Sequence, residues 1–231
     1  MDRFFNMDNK FFTVMGRVAD LIILNVVFVI CCLPVITIGA SLTALHYVTL
    51  KMARNEESYI VRSFFKSFKQ NFKQATVINI VMLLAGGILF ADFSIVKSME
   101  GTMASVLLML LVAFSFFYML VFLYVYPVLA KFYNSIKNTF KNAFLMSIRH
   151  LPYTLLMLVV TLLPIAIFFI PGVQLQSLIL MLFIMLGFAT LAFINGHFLV
   201  KIFDNYIPAE TSATSESETL TASSDASHKN I

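Results

Sequence analysis

Six polar side chains lie inside long apolar stretches of this chain: Asn25, His46, Asn79, Asp92, Asn195 and His197. A polar group in hydrocarbon is costly, so each is a candidate for function. Two readings of them compete. Asn25, Asn79 and Asn195 could line a polar path for a small solute. Alternatively, each could tie two helices together, at about 0.6 kcal/mol per bond. The second reading carries more weight, because the apolar stretches hold no central acidic pair or charged relay. Asp92 and the two histidines lie near the expected ends of spans, where water is close. The adjacent Cys31 and Cys32 close no useful loop and have no further ligands nearby, so they read as small apolar residues of a helix. No G-x-S-x-G, H-E-x-x-H or P-loop pattern occurs, and no two histidines of the apolar part are close in sequence. No enzymatic activity, metal or cofactor is expected.

The elements that must hold these residues follow from composition. The 231 residues are 60% hydrophobic and only 12% charged, with a mean hydropathy of +0.89. Soluble domains are about a quarter charged. These values exclude a disordered chain and point to an all-α, polytopic transmembrane protein. Nucleic acid is not an expected partner, because the basic residues are interleaved with apolar runs and form no recognition module.

A bilayer core of about 30 Å needs about 20 helical residues. Runs 75–96, 104–126, 153–170 and 175–200 meet this. Region 14–52 is broken at Leu33-Pro34 and Gly39. It reads either as one span followed by an amphipathic helix, or as a hairpin of spans 14–33 and 36–52. Lysine and arginine resist translocation, and this decides between them. With the hairpin there are six spans in three hairpins and both termini lie in the cytoplasm. Fifteen basic residues then lie inside, and Lys97 alone lies outside. The single-span alternative divides them twelve to four. The stretch after Arg17 is too long for a signal peptide and is read as retained. The tail 208–231, rich in Ser, Thr and Glu, cannot bury enough surface to fold and is expected to be disordered.

Two segments carry further information. In 58–74, Val61, Phe64, Phe65, Phe68 and Phe72 fall on one side of a helix, and Arg62, Lys66, Lys69 and Lys73 form a stripe about a quarter-turn away. Segment 131–150 repeats this more weakly, with Lys137 and Lys141. Both read as interfacial helices whose cations reach anionic lipid headgroups. Phe64, Phe65, Phe68 and Phe72 are also candidates for docking a partner at the cytoplasmic face, although anchoring alone accounts for the pattern. Phe68-Lys69-Gln70-Asn71-Phe72 and Phe140-Lys141-Asn142-Ala143-Phe144 resemble each other and hint at a repeat. Small-xxx-small spacings at Ala40/Ala44, Gly87/Ala91 and Ala192/Gly196 suggest close helix contacts. Pro164 should bend the fifth span, and Pro127 should end the fourth.

The runs Asn9-Lys10-Phe11-Phe12 and Ala19-Asp20-Leu21, the segment from Leu33-Pro34-Val35 through Gly39-Ala40-Ser41, and that from Tyr59 to Ala75 resemble the YesL-like family of bacterial integral membrane proteins of unknown function. The resemblance is specific over the first third of the chain and rests on hydropathy beyond it. Members of that family are often encoded beside carbohydrate-uptake ABC transporters. The resemblance therefore implies an accessory or regulatory component of such a system in the bacterial cell membrane, with an ABC transporter permease as partner. It implies no catalytic residue. The chain shows no permease coupling loop of its own, and the alternative function is a small-solute transporter or channel.

Overall fold

The computed structural model describes residues 10–56, 59–169 and 171–206. Among these there is no strand. The expected tail 208–231, both chain termini and Ser58 lie outside the described residues. Helix α1 spans Lys10–Cys32, α2 Ile38–Ala53, α3 Ile60–Lys97 and α4 Thr102–Lys131. Helix α5 spans Ile136–Arg149 and α6 Leu151–Leu162, which continues as a 3-10 helix over Leu163–Phe169. Helix α7 (Val173–Leu182) passes through a π-turn at Phe183–Gly187 into α8 (Phe188–Asp204). Five helical stretches are long and apolar enough to cross a bilayer, and six if the bent pair α5–α6 is one span. The protein is an all-α polytopic membrane protein, as the composition led us to expect.

Local chemistry explains most boundaries. The residue before a proline avoids helical backbone, and α1 stops ahead of Leu33-Pro34. The Thr37 hydroxyl lies 2.6 Å from the Cys31 carbonyl and 2.7 Å from that of Pro34, so it caps the end of α1. Gly101 joins α3 to α4 with a φ of +95°, a region open to glycine and costly to other residues. Pro164 sits where α6 tightens into the 3-10 segment, the expected bend.

Three expectations need correction. The 58–74 segment is not a separate interfacial helix. Residues 60–97 form one unbroken helix of 38 residues, about 57 Å long. No proline or glycine separates its cationic half from its apolar half before Gly86. Pro127 does not end α4 either. Leu123 through Leu129 are all buried and hold the helix together past the proline, and the break falls at Phe132. Third, the apparent repeat has no architectural counterpart. Residues 68–72 lie inside α3, whereas 140–144 belong to the separate 14-residue α5. Helix α5 begins at Ser135, whose side chain caps the Asn138 N–H. It meets the α6 segment at 101°.

Helix α2 is the centre of the core and packs on α1, α3, α4 and α8. Over half of its apolar window is buried, against at most 22% in the other long helices. One buried cluster joins Leu24 and Phe28 of α1 to Val48 and Met52 of α2, Ile60 and Phe64 of α3, and Ala189 of α8. A second joins α2 and α3 to Tyr124–Leu129 of α4, Ala143 of α5 and Leu199–Phe203 of α8. The register of α2 on α3 follows from these contacts. The amino-terminal end of α2 meets the middle of α3, because a Cβ on Gly39 would stand 2.5 Å from the Ala75 carbonyl oxygen and 2.6 Å from the Asn79 Cβ. Its carboxyl end meets the start of α3 at Ile60 and Phe64.

Candidate functional site

The candidate surface is built on the first half of α3. Ile60, Phe64, Ser67, Ala75, Ile78, Asn79 and Met82 form its buried face. At 100° per residue, Arg62, Lys66, Lys69 and Lys73 fall almost diametrically opposite that face. All four are exposed, and among the described residues none forms an ion pair. The stripe was legible in the sequence, but its bearing on the core was not. Phe64 is fully buried, and Phe68 and Phe72 are half-buried against the core. Phe65, at 39% exposed, is the docking candidate that keeps an open face. Phe64 and Phe68 stack, and Phe68 packs on Phe72, so this side chain ladder belongs mainly to the interior.

Helix α5 follows the same plan. Thr139, Ala143, Met146 and Ser147 face inward, and Lys137 and Lys141 are exposed on the opposite side. The Tyr133 hydroxyl bonds Gln70, and Gln74 Nε2 donates to the Asn134 carbonyl at 3.2 Å. These bonds hold the link before α5 against the cationic half of α3. Helices α2, α4 and α8 carry Lys51, Lys131 and Lys201 in their last turns, where a cation complements the helix dipole. An Arg54–Asp204 ion pair joins the ends of α2 and α8.

The structure does not bring the three intramembrane asparagines to one path. Asn25 bonds the π-turn region: its Nδ2 donates to the Ile184 carbonyl at 2.7 Å, and its Oδ1 accepts from the Ala189 N–H at 2.8 Å. Asn79 Nδ2 donates to the Val35 carbonyl at 3.1 Å, and its Oδ1 accepts from the Tyr126 hydroxyl at 3.2 Å. Asn195 Nδ2 donates to Thr161 Oγ1 at 3.0 Å. All three are buried, each at a different helix junction. They act as interhelical ties. His197 is exposed, and its ring lies against its own helix at Phe193. His46 Nδ1 is covered, with no hydrogen-bond partner among the described residues. Of the small-residue pairs, Ala40/Ala44 and Ala192/Gly196 lie in packed interfaces, but Gly87 faces open space. The close approach at Gly39 was missed, because in sequence that glycine reads as a helix break.

This fold and surface define a multi-pass helical membrane protein with a cationic, partly aromatic face beside its core. Residues 21–93 match a family described as a protein of unknown function, DUF624. That stretch covers the second half of α1, all of α2 and nearly all of α3. "Uncharacterized protein YesL" of Bacillus subtilis (strain 168) is 28% identical over 150 residues, which cover 64% of this chain and 70% of that protein. "Uncharacterized protein YteU" of the same organism is 26% identical over 146 residues, 61% of this chain and 64% of that protein, so less than two thirds of the latter is spanned. No solved structure matches the chain. The comparisons support the YesL-like family of unknown function, which the segments Leu33–Ser41 and Tyr59–Ala75 led us to expect.

Proposed function

We propose that this protein is an accessory or regulatory component of a bacterial carbohydrate-uptake system, and that it docks an ABC transporter permease at its cytoplasmic face. The carrying observation is the cationic face of α3. Arg62, Lys66, Lys69 and Lys73 are exposed, unpaired among the described residues, and held on a rigid helix whose other side is locked into the core. A rigid array of like charge suits an acidic partner surface or anionic headgroups, and both steer association. The link to carbohydrate uptake rests on the resemblance to the YesL-like family. The cell membrane as location and cytoplasmic termini belong to the same reading, through the sorting of basic residues. The transporter alternative loses support, because Asn25, Asn79 and Asn195 lie at three separate helix junctions, although the buried Oδ1 of Asn195 has no hydrogen-bond partner among the described residues.

The test is co-purification in mild detergent with a carbohydrate ABC permease expressed beside this protein. The combined charge reversal Lys66→Glu, Lys69→Glu and Lys73→Glu should lower recovery of the permease severalfold and leave the protein monodisperse. Equal recovery with the reversed stripe would sink the proposal. Solute flux through vesicles holding this protein alone would favour the transporter.

A further inference from the structure

Helix α3 carries Arg62, Lys66, Lys69 and Lys73 on the side away from the core, and among the described residues none of the four forms an ion pair. The row is about 17 Å long at the helical rise. Like charges three and four positions apart on a helix repel one another, so carboxylates brought to the row are favoured. The described carboxylates are placed elsewhere. Glu56 lies 4.0 Å from Lys51, and Asp204 pairs with Arg54. Asp20 belongs to α1, whose Leu21 and Leu24 pack with Phe64 on the buried side of α3. Asp92 stands 19 residues beyond Lys73 on α3, about 28 Å along the axis, and Glu100 lies further still.

The segment that follows Tyr206 has the opposite charge. Residues 207–231 carry Glu210, Glu216, Glu218 and Asp225 against Lys229 alone. Their point of departure is fixed. The Tyr206 hydroxyl lies 3.2 Å from His150 Nε2, and the Arg149 guanidinium sits over the Tyr206 ring at 5.8 Å. Tyr206 also lines one cavity with Tyr133 and Asn134. Those two residues in turn bond Gln70 and Gln74 of α3, which lie about a quarter-turn from the cationic row. Only the α4–α5 link therefore stands between the root of the acidic segment and the row. Glu210, Glu216 and Glu218 follow Tyr206 by four, ten and twelve residues. An extended chain covers about 3.3 Å per residue, which gives them a reach of about 13, 33 and 40 Å. A row one link away lies within it.

We propose that residues 207–231 cover the cationic face of α3, with Glu210, Glu216 and Glu218 set against Arg62, Lys66, Lys69 and Lys73. The acidic segment is then an internal competitor for whatever acidic surface docks on this face. Exposed ion pairs are individually weak and are screened by salt. A tether raises the local concentration of the carboxylates to about the millimolar range, so weak pairs suffice for occupancy, and a partner of higher charge density still displaces them. Helix α5 exposes Lys137 and Lys141, two cations against four, so the denser row is the one assigned. The competition rests on the docking proposal above, whereas the contact itself does not.

The test uses the full chain, purified in non-ionic detergent without a partner, with Cys31→Ala and Cys32→Ala as background. Spin labels on Ser63→Cys and Ser217→Cys report the contact by pulsed electron paramagnetic resonance. Labels on Ser63→Cys and Ser105→Cys report the fold. At about 0.01 M salt the first pair should show a short-distance population, which about 1 M salt removes. The combined change Glu210→Gln, Glu216→Gln and Glu218→Gln should remove it at low salt. The combined change Lys66→Gln, Lys69→Gln and Lys73→Gln should do the same, with the Ser63–Ser105 distance unaltered. The glutamate variant leaves all of α1–α8 intact, so it decides the matter even if the lysine variant does not fold. First-pair distances indifferent to salt and to the glutamate variant would overturn the proposal. So would a contact that is lost on Lys137→Gln with Lys141→Gln but kept in the α3 lysine variant, since that would move the segment to α5. Permease recovery separates the two proposals. The glutamate variant should raise it severalfold, and equal recovery with both proteins would overturn the competition. A spin-label contact with no permease recovered by either protein would sink the docking proposal alone.

Discussion

Asn25 of α1 bonds both ends of the backbone step from Ile184 to Ala189, where the π-turn gives way to α8. Its carboxamide donates to the carbonyl of the first and accepts from the N–H of the second. A carboxamide offers a donor and an acceptor on two separate atoms, whereas an ionised acid only accepts and a hydroxyl must serve both roles from one oxygen. Inserted side chains of this kind are a known cause of departures from the regular helical ladder. Replacing Asn25 with Leu should leave those two backbone groups without this partner and lower stability by about 1–2 kcal/mol. The midpoint of unfolding in a detergent titration reads this directly. A midpoint equal to that of the unaltered protein would mean that the α1–α8 tie contributes nothing.

Gly39 and Gly87 make a paired prediction. At Gly39 a new methyl group would meet the Ala75 carbonyl oxygen at 2.5 Å, and backbone cannot step aside cheaply. Gly39→Ala should force α2 from α3 and cost at least about 2 kcal/mol, the range for overpacked cores. At Gly87 nothing lies within 4 Å. Gly87→Ala should be neutral or stabilise by up to about 1 kcal/mol, the helix preference of alanine over glycine. Thermal unfolding in detergent compares the two variants. Similar losses at both sites would contradict the register of α2 on α3.

The contrast between those glycines shows what could be read from residue types. Helix content and the positions of apolar runs follow from hydropathy alone, but the fusion of 58–74 with 75–96 into the single helix α3, and the π-turn that divides 175–200 into α7 and α8, do not. The stop at Leu33-Pro34 was legible because proline acts locally. The inward turn of Phe64 was not. Amphipathic patterning gives the angle between the aromatic and cationic stripes, but it does not say whether lipid or α2 covers the aromatic side.

Phe64 and Phe65 are adjacent and should behave differently. Phe64 is fully buried between α1, α2 and α8, and Phe64→Ala should cost about 3–5 kcal/mol. Phe65 keeps an open face, and Phe65→Ala should cost less than about 1 kcal/mol, the outer range for surface changes. Expression level and unfolding midpoint give the comparison. A loss of permease recovery on Phe64→Ala would then report unfolding and not docking, whereas the same loss on Phe65→Ala would report the surface. Equal stability of the two variants would return Phe64 to the surface.

The Arg54–Asp204 pair joins two helix ends, but both partners touch solvent, Asp204 more than Arg54. Exposed pairs contribute about 0–1 kcal/mol and fade with salt. Arg54→Gln should therefore lower stability slightly at low ionic strength and less at high ionic strength. Unfolding midpoints at two salt concentrations decide it. A large loss insensitive to salt would mean that the pair is desolvated when the protein sits in a bilayer.

Tyr124 and Thr154 place a buried hydrogen bond beside the sharp bend between α5 and α6. The Thr154 hydroxyl lies 2.9 Å from the Ser147 carbonyl and 3.0 Å from that of His150, so its single proton is committed to these backbone acceptors. Tyr124 must therefore be the donor in the 2.7 Å bond between the two hydroxyls. The bend leaves backbone carbonyls at the end of α5 without helical partners, and this chain of hydroxyls meets that need. Tyr124→Phe removes only the donor, and Thr154→Val removes the hub. The two changes should be coupled, with an interaction energy of about 0.6–1.7 kcal/mol in a double-mutant cycle. Thr154→Val should be the more damaging single change, because it also strips the Ser147 carbonyl, whereas the His150 carbonyl keeps the Thr154 N–H at 3.0 Å. Strict additivity, or a larger loss from Tyr124→Phe, would mean that the bend is held by packing and not by this relay.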